Sequence, residues 1–173
     1  MKNLSQELIT YIVLGSSKRL KNLKKPELDN SEEYIFANFT DKDQIVSTID
    51  DLVTKAKGRI IVLLPPSCMP DKRSKNALKK ISMIDISTWG WFEMKNKEKD
   101  ILKSLRKFSV NIRSIPSIEQ GIYFNKRLYF SVGGVGEFGL KPFTEISKRF
   151  YTRIDPQNPL PSLIIRTKNL SLF

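Results

Sequence analysis

Histidine is absent from all 173 residues of this sequence, and cysteine occurs once, at Cys68. Without an imidazole there is no histidine general base, no Ser-His-Asp triad and no HExxH zinc site. A single cysteine excludes an internal disulfide and any multi-cysteine metal site, and it fits a reducing, cytoplasmic compartment. Long apolar runs are missing too. "YIVLG" and "RIIVLLPP" fall well short of the roughly 18 residues that cross a bilayer, so no membrane partner is expected. The first 17 residues carry a lysine and a short apolar patch, but Gln6 and Glu7 interrupt it, which argues against a signal peptide. Acid is scarce relative to base: 18 Asp plus Glu stand against 30 Lys plus Arg, a formal net charge of +12.

What remains is the composition of one ordinary globular domain, 40% hydrophobic and 28% charged, long enough to bury a core. Its positive field attracts polyanions, nucleic acid first, either DNA or RNA. The plainer reading is a lysine-rich surface with no dedicated partner. Two clusters are the candidates for phosphate contact: Lys18, Arg19, Lys21, Lys24 and Lys25 in "KRLKNLKK", and Lys72, Arg73, Lys75, Lys79 and Lys80 in "DKRSKNALKK". A third basic stretch, 95–107, is mixed with acids and reads as a solvated helix face. An acidic protein partner is the alternative to nucleic acid.

Apolar residues at 4, 8, 9, 12 and 13 approach a helical stripe, so residues 4–14 are expected to form a short helix, followed by a basic connector. Residues 1–32 then form an N-terminal appendage, and an α/β domain spans 33–173. That domain opens with "EYIFANF" as a strand. Thr40 and Asp43 resemble a capping box, Ile45, Ile49, Leu52, Val53 and Ala56 share one helical face, and Gly58 stands just past the helix end. "RIIVLLPP" follows as a strand buried on both faces, completing a strand, helix, strand unit with a parallel pair.

A second cycle follows: a basic helix in "RSKNALKKI", one or two strands in "SMIDISTWGWFEM", a helix at 97–108 and a strand at 109–115. "GIYFNKRLYFSV" is expected to be a hairpin turning at Asn125 and Lys126, with "SKRFYTRI" and "LIIRT" as closing strands. The fold class is α/β, a mixed sheet flanked by helices on both faces.

The element order, together with "SVNIRSI" and "GIYFNKRLYFSVGG", resembles one half of the phospholipase D-like fold. It is similar to the effector domains of TrmB-type regulators over roughly residues 33 to 153. The family motif is His-x-Lys-(x)4-Asp followed by a glycine pair. Anchored on Gly133 and Gly134, it puts Asn125 at the aspartate, Gln120 at the lysine and Ile118 at the histidine. None matches, and without the nucleophilic imidazole that hydrolysis is excluded. The resemblance implies a fold, a tendency of two halves to pair as a homodimer, and a ligand-binding or regulatory role without a cofactor. Arg113, Asn125, Lys126, Gly133 and Gly134 are the candidate ligand or phosphate site.

Three other motifs bear on chemistry. "GGVGEFG" lacks the Walker lysine and serine, and tight turns explain its glycines. Asp71, Glu93 and Lys95 imitate the acid and Glu-x-Lys triad of restriction-type, magnesium-dependent nucleases, though this spacing arises by chance in a lysine-rich chain. Trp89, Trp91 and Phe92 are either a stacking platform for single-stranded nucleic acid or core, and core packing is the simpler expectation. The same holds for Tyr123, Phe124, Tyr129 and Phe130. Arg59 and Arg127, like Arg113, are forked donors suited to phosphate or to ordinary surface pairing.

Overall fold

The computed structural model describes residues 8–95 and 113–173. The helix expected at 97–108 and most of the strand expected at 109–115 lie outside the described residues, as does most of the third basic stretch. Arg113 to Ile115, the described end of that strand, are irregular.

The first element corrects the sequence reading. Ile9–Ser16 is a strand, β1, and it pairs in parallel with β2 (Glu32–Phe39) on one side and with β3 (Ile60–Leu64) on the other. The expected N-terminal helix is therefore a strand inside the sheet, and the expected appendage contributes one of the domain's inner elements. The reason is burial on both faces: Ile9 and Tyr11 to Leu14 are fully buried, so polarity does not alternate and the apolar spacing imitates a helix. Thr10 fixes the strand sideways. Its hydroxyl donates to Glu33 (2.7 Å) and accepts from the Gly58 amide (2.9 Å). Gly58 serves this approach rather than a left-handed helix stop, since a Cβ there would lie 2.5 Å from the Thr10 nitrogen.

The strand, helix, strand unit forms as expected, with β1 inserted between its two parallel strands. Helix α2 (Ile45–Lys55) buries Ile45, Ile49 and Val53. Its entry turn at Lys42–Gln44 is capped by Asp41, whose carboxylate accepts from the Asp43 and Gln44 amides; Thr40 instead donates to Gln44. The cap is thus one residue later than the expected box.

Beyond β3 come β4 (Cys68–Met69), α3 (Lys72–Met83), β5 (Trp89–Gly90) and β6 (Ile122–Asn125). The five-stranded mixed sheet runs β2-β1-β3-β6-β5, with β6 antiparallel to both its neighbours. The expected hairpin is absent: Asn125 accepts from the Arg127 amide (2.8 Å) and starts helix α4 (Lys126–Ser131). The residue type that favours a tight turn also favours a helix N-cap, and here the cap wins. "SKRFYTRI" is likewise mostly helix, α5 (Thr144–Tyr151), with Ile146, Ser147 and Phe150 on its buried side. The last strand, β7 (Ile164–Ile165), pairs with β4 in a separate two-stranded sheet.

The side chains divide cleanly between two cores. One face of the sheet, from Ile12, Leu14, Ile61, Leu63, Ile122 and Phe124, packs against α2, α4, α5, Trp89 and Trp91. The other, from Ile9, Tyr11, Val13, Ile60, Val62 and Tyr123, packs against α3, Leu20 of the short helix α1 (Ser17–Leu20) and the connector that follows it. Both tryptophans are core residues, and so are Tyr123, Phe124 and Tyr129, whereas the Phe130 side chain is 50% exposed.

Candidate functional site

The candidate ligand positions taken from the family motif do not converge. Asn125 caps α4, while the Lys126 ammonium donates to the carbonyls of Thr54 (2.9 Å) and Ala56 (2.7 Å) and closes the end of α2. Burial lowers the Lys126 pKa, opposed by the nearby Glu33 carboxylate. Gly133 and Gly134 adopt φ of 80° and 82°, and the carbonyls of Val132, Gly133 and Gly134 all accept from one nitrogen of Arg149. A turn that points acceptors inward holds a guanidinium and cannot cradle a phosphate. Asp50 locks the turn from the other side by accepting from the Tyr129 hydroxyl and the Val135 amide. A Cβ at Gly134 would lie 2.7 Å from the Asp50 carboxylate. Arg113 lies over the Tyr151 ring, 5.1 Å from its centre.

The nuclease triad is not assembled either. Asp71 caps α3, accepting from the Ser74 amide at 2.7 Å, and that bond is the main reason its carboxyl pKa is lowered. Glu93 and Lys95 are exposed and border a pocket of about 60 Å³ with Glu119, without Asp71. Among the described residues no group of three His, Cys, Asp or Glu side chains is placed to hold a metal.

The two basic clusters lie on the same face of the sheet, the one covered by α3. Glu32, at the start of β2, ties the second cluster to the sheet. Its nearly buried carboxylate accepts from the Tyr11 hydroxyl (3.1 Å) and from Lys75 (3.2 Å), whose ammonium also lies over the Tyr11 ring. Burial first, and Glu32 second, push the Tyr11 phenol pKa up. Lys79 pairs with Asp29, whose carboxyl is lowered to about 2 chiefly by that bond. These bridges tie α3 to the connector, so Lys75 and Lys79 are structural. Arg19 is committed as well, donating to the carbonyls of Asn169 and Ser171. Lys18, Lys21, Lys24, Lys25, Lys72, Arg73 and Lys80 remain exposed and without an ion-pair partner among the described residues. On α3, Lys72 and Lys80 lie two turns apart on the outward side. Arg127, by contrast, pairs with Asp85 across solvent.

Of two further cavities, the first borders this surface. One, of about 190 Å³, is lined by Lys24, Lys25, Arg166, Tyr34, Ser67 and Met69 among others. Sequence reasoning missed Arg166, because only the pairing of β7 with β4 brings it to this place. The other, of about 430 Å³, lies beyond the end of β2 and is bordered by Lys42, Ile45, Phe138, Leu140 and Leu172. Nearby, the connections from β1 and β2 leave for opposite faces of the sheet, the place where open α/β sheets bind ligands. The chain's own segment 169–173 occupies it: the Ser16 amide donates to the Leu172 carbonyl (2.6 Å), and Phe173 packs on Phe39. No family model matches the chain, and neither does any curated protein.

Proposed function

We propose that the chain is a non-catalytic binding domain for nucleic acid, with the surface of α3 and the connector as its contact face. The observation that carries this reading is the asymmetry of charge use. Cations near the core are consumed by internal partners, whereas seven on this one face are left exposed and unpaired. Such an array neutralises phosphates and releases their counterions. The kinship with phospholipase D-like domains belongs to the same proposal, supported by the mixed sheet, while the mismatched motif positions bear on its non-catalytic half. So does pairing of two copies, for which Met83, Ile84 and Ile86 offer exposed apolar surface past α3.

The test is a fluorescence-anisotropy titration of labelled DNA and RNA over a range of salt, with and without magnesium, and with the mass of the free chain measured by sedimentation equilibrium. Affinity should fall linearly with salt on logarithmic axes, and the combined change Lys72→Ala, Arg73→Ala and Lys80→Ala should reduce that slope by about 2–3. Absence of binding at low salt would sink the reading and shift attention to an acidic protein partner. Strand cleavage in magnesium would overturn its non-catalytic half, and a monomer mass its pairing.

A further inference from the structure

The pocket of about 190 Å³ has the features of a site for one concentrated anion. Lys24, Lys25 and Arg166 line it, no acidic side chain does, and none of the three cations has an ion-pair partner among the described residues. Its wall is fixed by backbone. After Pro65 and Pro66 the chain turns through Ser67 at φ 59°, a left-handed conformation that is unfavourable for a residue with a side chain. The Ser67 carbonyl accepts from the Arg166 amide (3.1 Å), and the β4-β7 pairing sets Cys68 opposite Ile165. The guanidinium is therefore delivered by a braced strand end rather than a free loop. Strain held by a neighbouring sheet is a feature of binding sites.

The floor adds a donor. Tyr34 is nearly buried, and its phenol feels both the Cys68 thiol and the Arg166 guanidinium; burial pushes its pKa up to about 12, so it stays protonated at neutral pH. The Cys68 thiol, also part of the lining, donates to the Pro66 carbonyl (3.5 Å), and burial raises its pKa to about 12, so it contributes no thiolate charge. Glu119, whose field reaches Cys68, lies outside the lining.

Size then narrows the ligand. Pockets that enclose a whole drug-sized molecule measure roughly 300–1,000 Å³, so this one accepts a headgroup and leaves the rest outside. Three positive charges match a doubly charged group better than the single charge of a phosphodiester, and a planar fork favours a group with free oxygens. We propose that this pocket binds a phosphomonoester dianion, presented either by the phosphorylated end of a nucleic-acid strand or by a free mononucleotide. This rests on the nucleic-acid reading for the first source and is independent of it for the second.

The experiment compares the full chain's affinity for one single strand carrying a terminal phosphate, at either end, with the same strand carrying hydroxyls, at fixed salt. Inorganic phosphate and adenosine monophosphate are titrated separately by calorimetry. A phosphorylated end should bind tighter by about tenfold. Arg166→Gln should erase most of that preference while barely changing the affinity for the hydroxyl strand, whereas Lys25→Gln should erase the preference and also weaken both strands, with melting curves confirming that both variants fold. Binding of the mononucleotide with no strand binding would support the pocket and overturn the nucleic-acid reading. Equal affinity for both strands, with no heat from phosphate or mononucleotide, would overturn the pocket and leave the wider basic face standing.

Discussion

The two faces of the sheet use charge in opposite ways. On the face of α2, α4 and α5, each charged group that reaches the interior is spent on the fold. Arg149 gathers three carbonyls of the glycine turn, Lys126 closes the end of α2, and Asp50 holds Tyr129 and Val135. Around them the rings of Tyr151, Trp89, Phe150, Phe124 and Tyr129 touch in sequence. On the face of α3, Glu32, Asp29 and their lysine partners are spent, as is Arg19, and the remaining cations of the two basic clusters are exposed. An arginine held by three backbone carbonyls has few donors left for phosphate, and one lining an open pocket without a partner has all of them. The α3 face, with its array of unpaired cations, is where the proposed binding would take place.

The sharpest way to break this contrast is to damage the first face and look for an effect on binding. Trp89 is fully buried, donates from its ring nitrogen to the Ile154 carbonyl (2.9 Å) and packs on Phe150 and Tyr151. Trp89→Ala should cost about 3–5 kcal/mol of stability in urea denaturation. Polyanion affinity and its salt slope, measured on the folded fraction, should stay as they were. Loss of binding in a variant that still folds would mean that the aromatic face takes part in recognition after all.

Next in size is the Glu32 tie on the second face. Glu32→Ala leaves the Tyr11 hydroxyl and the partly buried Lys75 ammonium without their shared acceptor. Removing one member of such a pair strands the other, at about 2–4 kcal/mol given the residual exposure of Lys75. Urea denaturation should show the loss. The released lysine should leave the salt slope for polyanion binding unchanged or steeper, because one acid has gone from that face. A shallower slope would show that Glu32 organises the contact surface itself.

The sequence carried the outlines of both faces but not their connectivity. The capped amphipathic α2 and the apolar β3 were legible because each satisfies its own local rule within a few residues. The basic α3 was legible for the same reason. β1 was not, since a strand buried on both faces loses the alternation that distinguishes it from a helix. Asn125 was ambiguous because turns and helix N-caps ask for the same side chain, and tertiary packing of Leu128 and Tyr129 settled the choice. The basic clusters were visible as composition. Which lysines are free depended on Glu32 and Asp29, and the Lys24, Lys25 and Arg166 pocket depended on a pairing between distant segments that no local pattern encodes.

The smallest effect concerns the acids that anchor α3, and it sharpens the difference between a structural carboxylate and a catalytic one. Asp71 accepts the Ser74 amide at the start of the helix and Asp29 accepts from Lys79, and both carboxyls titrate below their ordinary range. A depressed folded pKa means stability that is present above the unfolded value of about 3.9 and is lost as pH falls through the folded one. Thermal unfolding should therefore be insensitive to pH above about 5 on account of these two groups and should weaken toward about pH 2, where Asp29 takes up its proton. Asp71→Ala should cost about 1 kcal/mol at neutral pH. Asp71→Asn should recover most of that loss, because an amide oxygen still caps the helix, and should remove the Asp71 share of the acid dependence. The exposed Asp29 pair is screened by salt and should contribute less than about 1 kcal/mol, so Lys79→Ala should barely move the neutral-pH midpoint. If Asp71→Asn were as damaging as Asp71→Ala, its negative charge at the helix start, rather than the hydrogen bond, would be what secures α3.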